Sequence, residues 1–374
     1  MQNKFALAAL SVFALAACSE DRDITAPTAP VTSVNANVSV ADGGTIFTLR
    51  NLTTGNYVSA FNQDADGNLS SAGEVATGGN GTGAGLGSQG ALTASEEGRW
   101  LFAVNAGSNQ VSVLSVGKDG IALADVTSSG GTRPISVTAF KNVVYVLNAG
   151  GSGNIAGFTK DKDGNLTAIN GSIQPLSGAS VGAAQVSFSS DGKWLVVTEK
   201  ATNKIDVYPV NKNGVAGSPV IQASAGTTPF GFAFGKQNEL VVSEAGTGSA
   251  SSYGIGGGGN LGINTAVAPL YQNAPCWVTV TKNGRFAYVA NAQSGSISGY
   301  SIAGSGAISL LNPSGVTAIV NAGATDLTVS GDSRYLYQLD GSRISAFRVQ
   351  SNGQLQALGT IAKPASSTVG IAAL

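Results

Sequence analysis

Histidine is absent from all 374 residues. That removes the commonest transition-metal ligand and the usual acid/base of neutral pH. It also excludes c-type haem ligation and every Ser-His or Cys-His nucleophile pair. Charge is scarce too, at 11% of residues with a net charge of -1. A face basic enough to neutralise several phosphates is missing, so nucleic acid is excluded as an expected partner. With 43% hydrophobic residues, scarce charge also argues against disorder. Long runs of Ala, Leu, Glu and Lys at helical spacing are missing, which excludes a mainly helical fold. Glycine, by contrast, is plentiful, at 52 residues, about twice the usual share. The mixture predicts many short buried strands joined by tight turns.

The N-terminus reads as an export signal. Lys4 precedes an apolar stretch from Phe5 to Ala17, too short to cross a bilayer but the right length for a signal-peptide core. It ends in Leu15-Ala16-Ala17-Cys18, which resembles the lipobox of bacterial lipoproteins. The resemblance implies removal of residues 1–17 and lipid attachment to Cys18. Ser19, standing where Asp would favour the inner membrane, points by analogy to the outer membrane. Residues 18–42, rich in Ala, Pro, Thr, Val and Ser, are expected to form a flexible tether. Residues 43–374 are expected to form one domain. The only other cysteine is Cys276. With Cys18 lipidated it lacks a partner, so no disulfide is expected.

That domain carries a repeat. Seven strands end in a polar anchor: Asn51, Asn105, Asn148, Glu199, Glu244, Asn291 and Asp340, spaced 43 to 54 residues apart. An aromatic residue or Leu follows each: Phe61, Leu114, Phe158, Tyr208, Tyr253, Tyr300 and Phe347. Asp-Gly, Asn-Gly or a similar pair then marks a tight turn, as at Asp66-Gly67, Asp163-Gly164 and Asn352-Gly353. A second set of turns is followed by a basic residue and an aromatic: Arg99-Trp100, Lys193-Trp194, Arg285-Phe286 and Arg334-Tyr335. The period fits four-stranded propeller blades. The fold class is therefore all-β: a seven-bladed β-propeller. The first blade lacks an innermost strand before Thr45 to Leu49. The apolar segment Thr368 to Leu374 is expected to supply it and close the ring.

The turns at Asp191-Gly192-Lys193-Trp194 and Asn283-Gly284-Arg285-Phe286, with Tyr288-Val289-Ala290-Asn291, resemble the YVTN-type repeats of the lactonase-like propeller family. That family includes 6-phosphogluconolactonases and carboxymuconate cyclase-like proteins. The resemblance covers about residues 44–374 and implies a central-channel site containing His, Glu and Arg. Glu244, in Ser243-Glu244-Ala245, is similar to the Asn-Glu-Leu of those lactonases, and Arg133 stands near the same mouth. No histidine completes the set.

Glu199, Glu244 and Arg133 are the candidate catalytic residues. Two carboxylates on neighbouring blades can act as acid and base, or can simply tie down loop amides as Asn does at the other anchors. Gln89, Gln185, Cys276, Trp277 and Asp326 fall near the starts of inner strands and are candidate ligand-binding residues at the channel mouth. The Asp64–Asn68 and Asp161–Asn165 runs read as turns lacking the full calcium-ligand series. Gly78 to Gly90 precedes a strand and no helix, so it reads as a loop between blades and no phosphate cradle. No cofactor and no metal is expected, and the chain is expected to be monomeric. Two function classes remain open: a lipid-anchored scaffold that binds a small molecule or a protein at a propeller face, and a lactone hydrolase. A quinoprotein-like redox propeller is disfavoured, since metal ligands and haem motifs are missing.

Overall fold

The computed structural model describes residues 44–362, 364 and 367–374. The expected signal peptide and tether lie outside them. Seven antiparallel sheets make seven blades, five of four strands and two with a short fifth segment. From the axis outward, blade 1 runs Val369–Ala373, Thr45–Leu49, Tyr57–Gln63 and Leu69–Ala76. The closing strand comes from the C-terminus, as expected. Its register pairs Ile46 with Ala373 and Phe47 with Ala372. Val369, Ile371 and Ala372 are buried by it. The inner strands of blades 2 to 7 are Leu92–Ala94, Pro134–Phe140, Ala183–Phe188, Pro229–Phe234, Pro275–Val280 and Asp326–Val329.

The repeated residues hold these blades together. All seven third-strand positions, Phe61 to Phe347, are buried. The turn glycines between third and fourth strands all adopt positive φ, from 79° at Gly214 to 106° at Gly120. Conformation is half of their role, and close approach is the other half. A Cβ on Gly67 would sit 2.6 Å from the Tyr335 ring, on Gly164 2.5 Å from Trp100, and on Gly353 2.6 Å from Phe286. Each of those aromatics belongs to the preceding blade. The two turn motifs are therefore the two halves of one interblade contact, with glycine on one side and a ring on the other. The Asp64 and Asp161 runs are such turns. Asp64 Oδ1 accepts the amides of Asp66 and Asn68, and Asp161 Oδ1 those of Asp163 and Asn165, at 2.8 to 2.9 Å.

Cys276 departs from expectation. It is fully buried and disulfide-bonded, so no free thiol stands among the described residues. The expectation that no disulfide forms does not hold at this sulfur.

Candidate functional site

An inner strand bonds its second strand on one edge only. The other edge, facing the axis, needs partners for its N–H and C=O groups. Polar side chains supply them. Gln185 Oε1 accepts the Phe232 N–H (2.8 Å) and Nε2 donates to the Phe232 carbonyl (3.0 Å), lacing blade 4 to blade 5. Gln89 does the same for Val278 of blade 6, at 3.0 and 2.7 Å. Ser136 Oγ accepts the Val186 N–H, and Thr138 Oγ1 accepts that of Phe188. Asp326, in blade 7, accepts the N–H of Leu327 (2.8 Å), that of Ile371 in the closing strand (3.2 Å) and that of Gly90.

The loop ending in Gln89 closes one end of the channel. Ser88 Oγ donates to the Ile135 carbonyl (2.8 Å), Gln89 N–H to that of Ala184 (3.1 Å), and Trp277 Nε1 to that of Ser88 (3.0 Å). The glycine-rich segment thus joins blades, as read from sequence, and also crosses the axis as a plug bonded to blades 3, 4 and 6. Beneath it lies a cavity of about 400 Å³, lined by Gln89, Gln185, Phe188, Phe232, Phe234 and Asp326 among others. Asp326 is the single titratable side chain among the described residues that line it. Burial pushes its carboxyl up to about 7, against the opposing pull of its three amide donors.

Of the candidate ligand-binding residues, Gln89, Gln185 and Asp326 share this cavity. Trp277 and Cys276 lie behind the plug. Trp277 borders a void of about 10 Å³ together with Gly85, Leu86, Gly87 and Ser88.

The candidate catalytic residues are not brought together. Glu199 and Glu244 are fully buried, each inside its own blade. Glu199 accepts from Ser177 N–H (2.8 Å), Ser177 Oγ (2.5 Å) and Thr202 Oγ1 (2.5 Å). Glu244 Oε1 accepts from Ser224 Oγ (2.5 Å) and Ser251 Oγ (2.6 Å), and burial raises its carboxyl above the usual range. The asparagine anchors do the same work: Asn105 Nδ2 donates to Ser112 Oγ, and Asn291 Nδ2 to Ser298 Oγ. Arg133 is exposed at the plugged end.

The carboxyl that Glu199 does meet is Asp206, which the sequence reading missed. Asp206 is fully buried and hydrogen-bonds the Glu199 side chain. Burial first, then the Glu199 charge, pushes it up to about 8. A signal for it was present. In four blades the anchor bonds a polar residue seven positions later: Asn105 with Ser112, Glu199 with Asp206, Glu244 with Ser251 and Asn291 with Ser298.

Seven closed blades around a channel plugged at one end define a propeller with a single-ended axial cavity. The family described as "Lactonase, 7-bladed beta-propeller" matches residues 37–181. The chain is a seven-bladed β-propeller, and this part of it is similar to that family. Similar solved structures include a candidate 6-phosphogluconolactonase from Bacteroides uniformis, at 17% identity and TM-score 0.69, covering 89% of this chain and 100% of that one. The periplasmic gluconolactonase of Pseudomonas aeruginosa matches at 15% and 0.70, covering 88% and 99%. A Lactobacillus plantarum protein matches at 14% and 0.71, covering 88% and 99%. At such identities the likeness shows the fold. No curated protein matched the chain.

Proposed function

We propose that this propeller is exported, tethered by lipid on Cys18 with the outer membrane favoured, and binds a small molecule in the axial cavity without efficient turnover. One observation carries the binding reading. The buried glutamates point into hydrogen-bonded niches, and the one carboxyl among the cavity's described residues has its oxygens engaged by backbone amides. Opening a lactone requires a base for the attacking water and donors for the oxyanion. Neither glutamate reaches the cavity to serve as that base. The cavity wall offers rings, hydroxyls and amide groups, which suit a neutral polyol or a sugar lactone. The shared fold with the Pseudomonas gluconolactonase makes sugar lactones and sugar acids the first ligands to test.

A lactone hydrolase is the second reading, and Asp326 favours it. A carboxyl held near 7 is poised to exchange a proton at neutral pH. Purified protein should be screened for thermal shifts with aldonolactones and muconolactones and assayed for their hydrolysis. We expect a shift with at least one ligand, lost in Asp326→Asn, and no hydrolysis above background. Hydrolysis that collapses in Asp326→Asn but survives in Glu244→Gln would establish the enzyme instead.

A further inference from the structure

In four of the inner hairpins an aromatic follows a basic residue. The ring packs on a turn glycine of the next blade, and the base is left over. The plug joins the fourth strand of blade 1 to the inner strand of blade 2. Strands alternate in direction, so the hairpins between first and second strands lie at the other, open end. Blades 2 to 7 have six such hairpins, and each carries an exposed cation: Arg99, Lys141, Lys193, Lys236, Arg285 and Arg334, with Lys282 as a second in blade 6. Four acids share these hairpins: Glu96, Glu97, Asp191 and Asp332. Seven cations against four acids leave a net charge of +3. Asp191 and Asp332 pair with Lys193 and Arg334, while the other five cations form no ion pair among the described residues. Farther out, the turns between third and fourth strands carry both signs, as at Asp64, Lys162 and Lys212. The positive excess belongs to the inner ring.

The hairpins touch one another. The Asp191 N–H donates to Asn238 Oδ1 (3.3 Å), linking blades 4 and 5. A Cβ on Gly284 would sit 2.9 Å from the Lys236 Cβ, and the Lys282 N–H donates to Ser333 Oγ (2.8 Å), so blades 5, 6 and 7 continue the ring. In blade 1 no hairpin joins the first two strands. Gly44 leads into Thr45–Leu49, and the Leu374 N–H donates to the Thr45 carbonyl (3.0 Å). Leu374 fills the gap, since a Cβ on Gly98 of blade 2 would meet it at 3.4 Å and one on Gly331 of blade 7 at 3.5 Å. The proposed tether therefore joins the propeller at the gap in the cationic ring, beside the mouth of the cavity.

Solubility alone is served by charge of either sign, whereas a cation recurs on each hairpin around the point where the tether leaves. We propose that the open end is a lipid-docking face, in which this ring lies against the anionic headgroups of a phospholipid surface. The direction of approach rests on the tether proposed above, and the ring stands without it. Docked in this way, the cavity mouth faces the bilayer and the plug faces away from it.

Co-sedimentation with vesicles tests this, on Cys18→Ser protein so that no attached lipid holds it. One vesicle is phosphatidylcholine alone, and the other is phosphatidylcholine and phosphatidylglycerol in equal parts. We expect tighter binding to the second, with added salt reducing the difference. Each cation removed should weaken that binding about fivefold, as in Lys236→Gln, and Lys141→Gln, Lys236→Gln and Lys282→Gln together should weaken it roughly 100-fold. These side chains are exposed and outside any ion pair among the described residues, so the fold does not depend on them. Arg343 is exposed in the loop between second and third strands of blade 7, at the plugged end, and Arg343→Gln should leave binding unchanged. Equal binding to the two vesicles, no loss in the triple variant, or a loss in Arg343→Gln equal to that in Lys236→Gln overturns the proposal. Vesicle binding here needs no lipid on Cys18, and palmitate labelling of Cys18 needs no cationic ring, so the two readings fail separately.

Discussion

At the residue scale the anchors show how one position can carry several chemistries. Asn, Glu and Asp all end a second strand, and all tie hydroxyls or amides of nearby loops to it. A carboxylate there has a consequence that Asn lacks. The Glu199–Asp206 pair confines two acids away from water, and Asp206 keeps its proton up to about 8. The unfolded chain releases that proton near 3.9. Between those values folding takes a proton up, so the stability it contributes is present in acid and lost as pH rises toward 8. Asp326, raised to about 7, acts with the same sign. Asp206→Asn keeps a donor toward Glu199 and does not ionise. We expect its unfolding free energy, measured by denaturant titration, to fall less than the parent's between pH 5 and pH 8, by on the order of a few kcal/mol. Equal slopes would mean that Asp206 is ionised in the fold. The glutamates were visible in the sequence as exceptions in a series. Their seclusion was not, because sequence reports which residue ends a strand and leaves open which groups fold over it.

At the element scale the closing strand bears the most. Thr45–Leu49 is buried along its whole length, and Val369–Ala373 covers its inner edge. Asp326 clamps that strand to blade 7 through the Ile371 amide. Deleting Val369–Ala373 would bare a sheet edge and uncover Phe47 and Leu49, inviting aggregation. We expect the deletion to lower the melting temperature by at least about 10 °C or to drive the protein into aggregates, as light scattering would report. A truncated protein that stays monomeric with the parental melting temperature would show that the ring does not depend on this closure. The interblade contact belongs to this scale too. Its glycine half and its aromatic half both stood out in the sequence. That they meet, as Gly164 meets Trp100, follows from the rotation of one blade against the next.

At the scale of the whole molecule, the proposed lipid tether depends on Cys18. Replacing Cys18 with Ser should abolish labelling by radioactive palmitate and move the protein from the membrane fraction to the soluble one. Persistent membrane association would refute the lipid anchor. The chain has two sulfurs of this kind, and Cys276 is disulfide-bonded. The intact mass of the mature protein reports directly whether Cys18 carries a lipid.

The sequence by itself determined the number of blades, their turns, the buried rings and the source of the closing strand. These depend on local periodicity and on residues whose conformational limits are intrinsic, such as glycine at positive φ. Only the tertiary structure decided what the channel is. Gln89 lies far from Val278 along the chain, yet its side chain completes that strand's edge, and the loop before it closes the axis. Such contacts arise because seven inner edges with unpaired backbone groups converge on one axis. The local pattern of any one blade does not say which side chain from another will satisfy them.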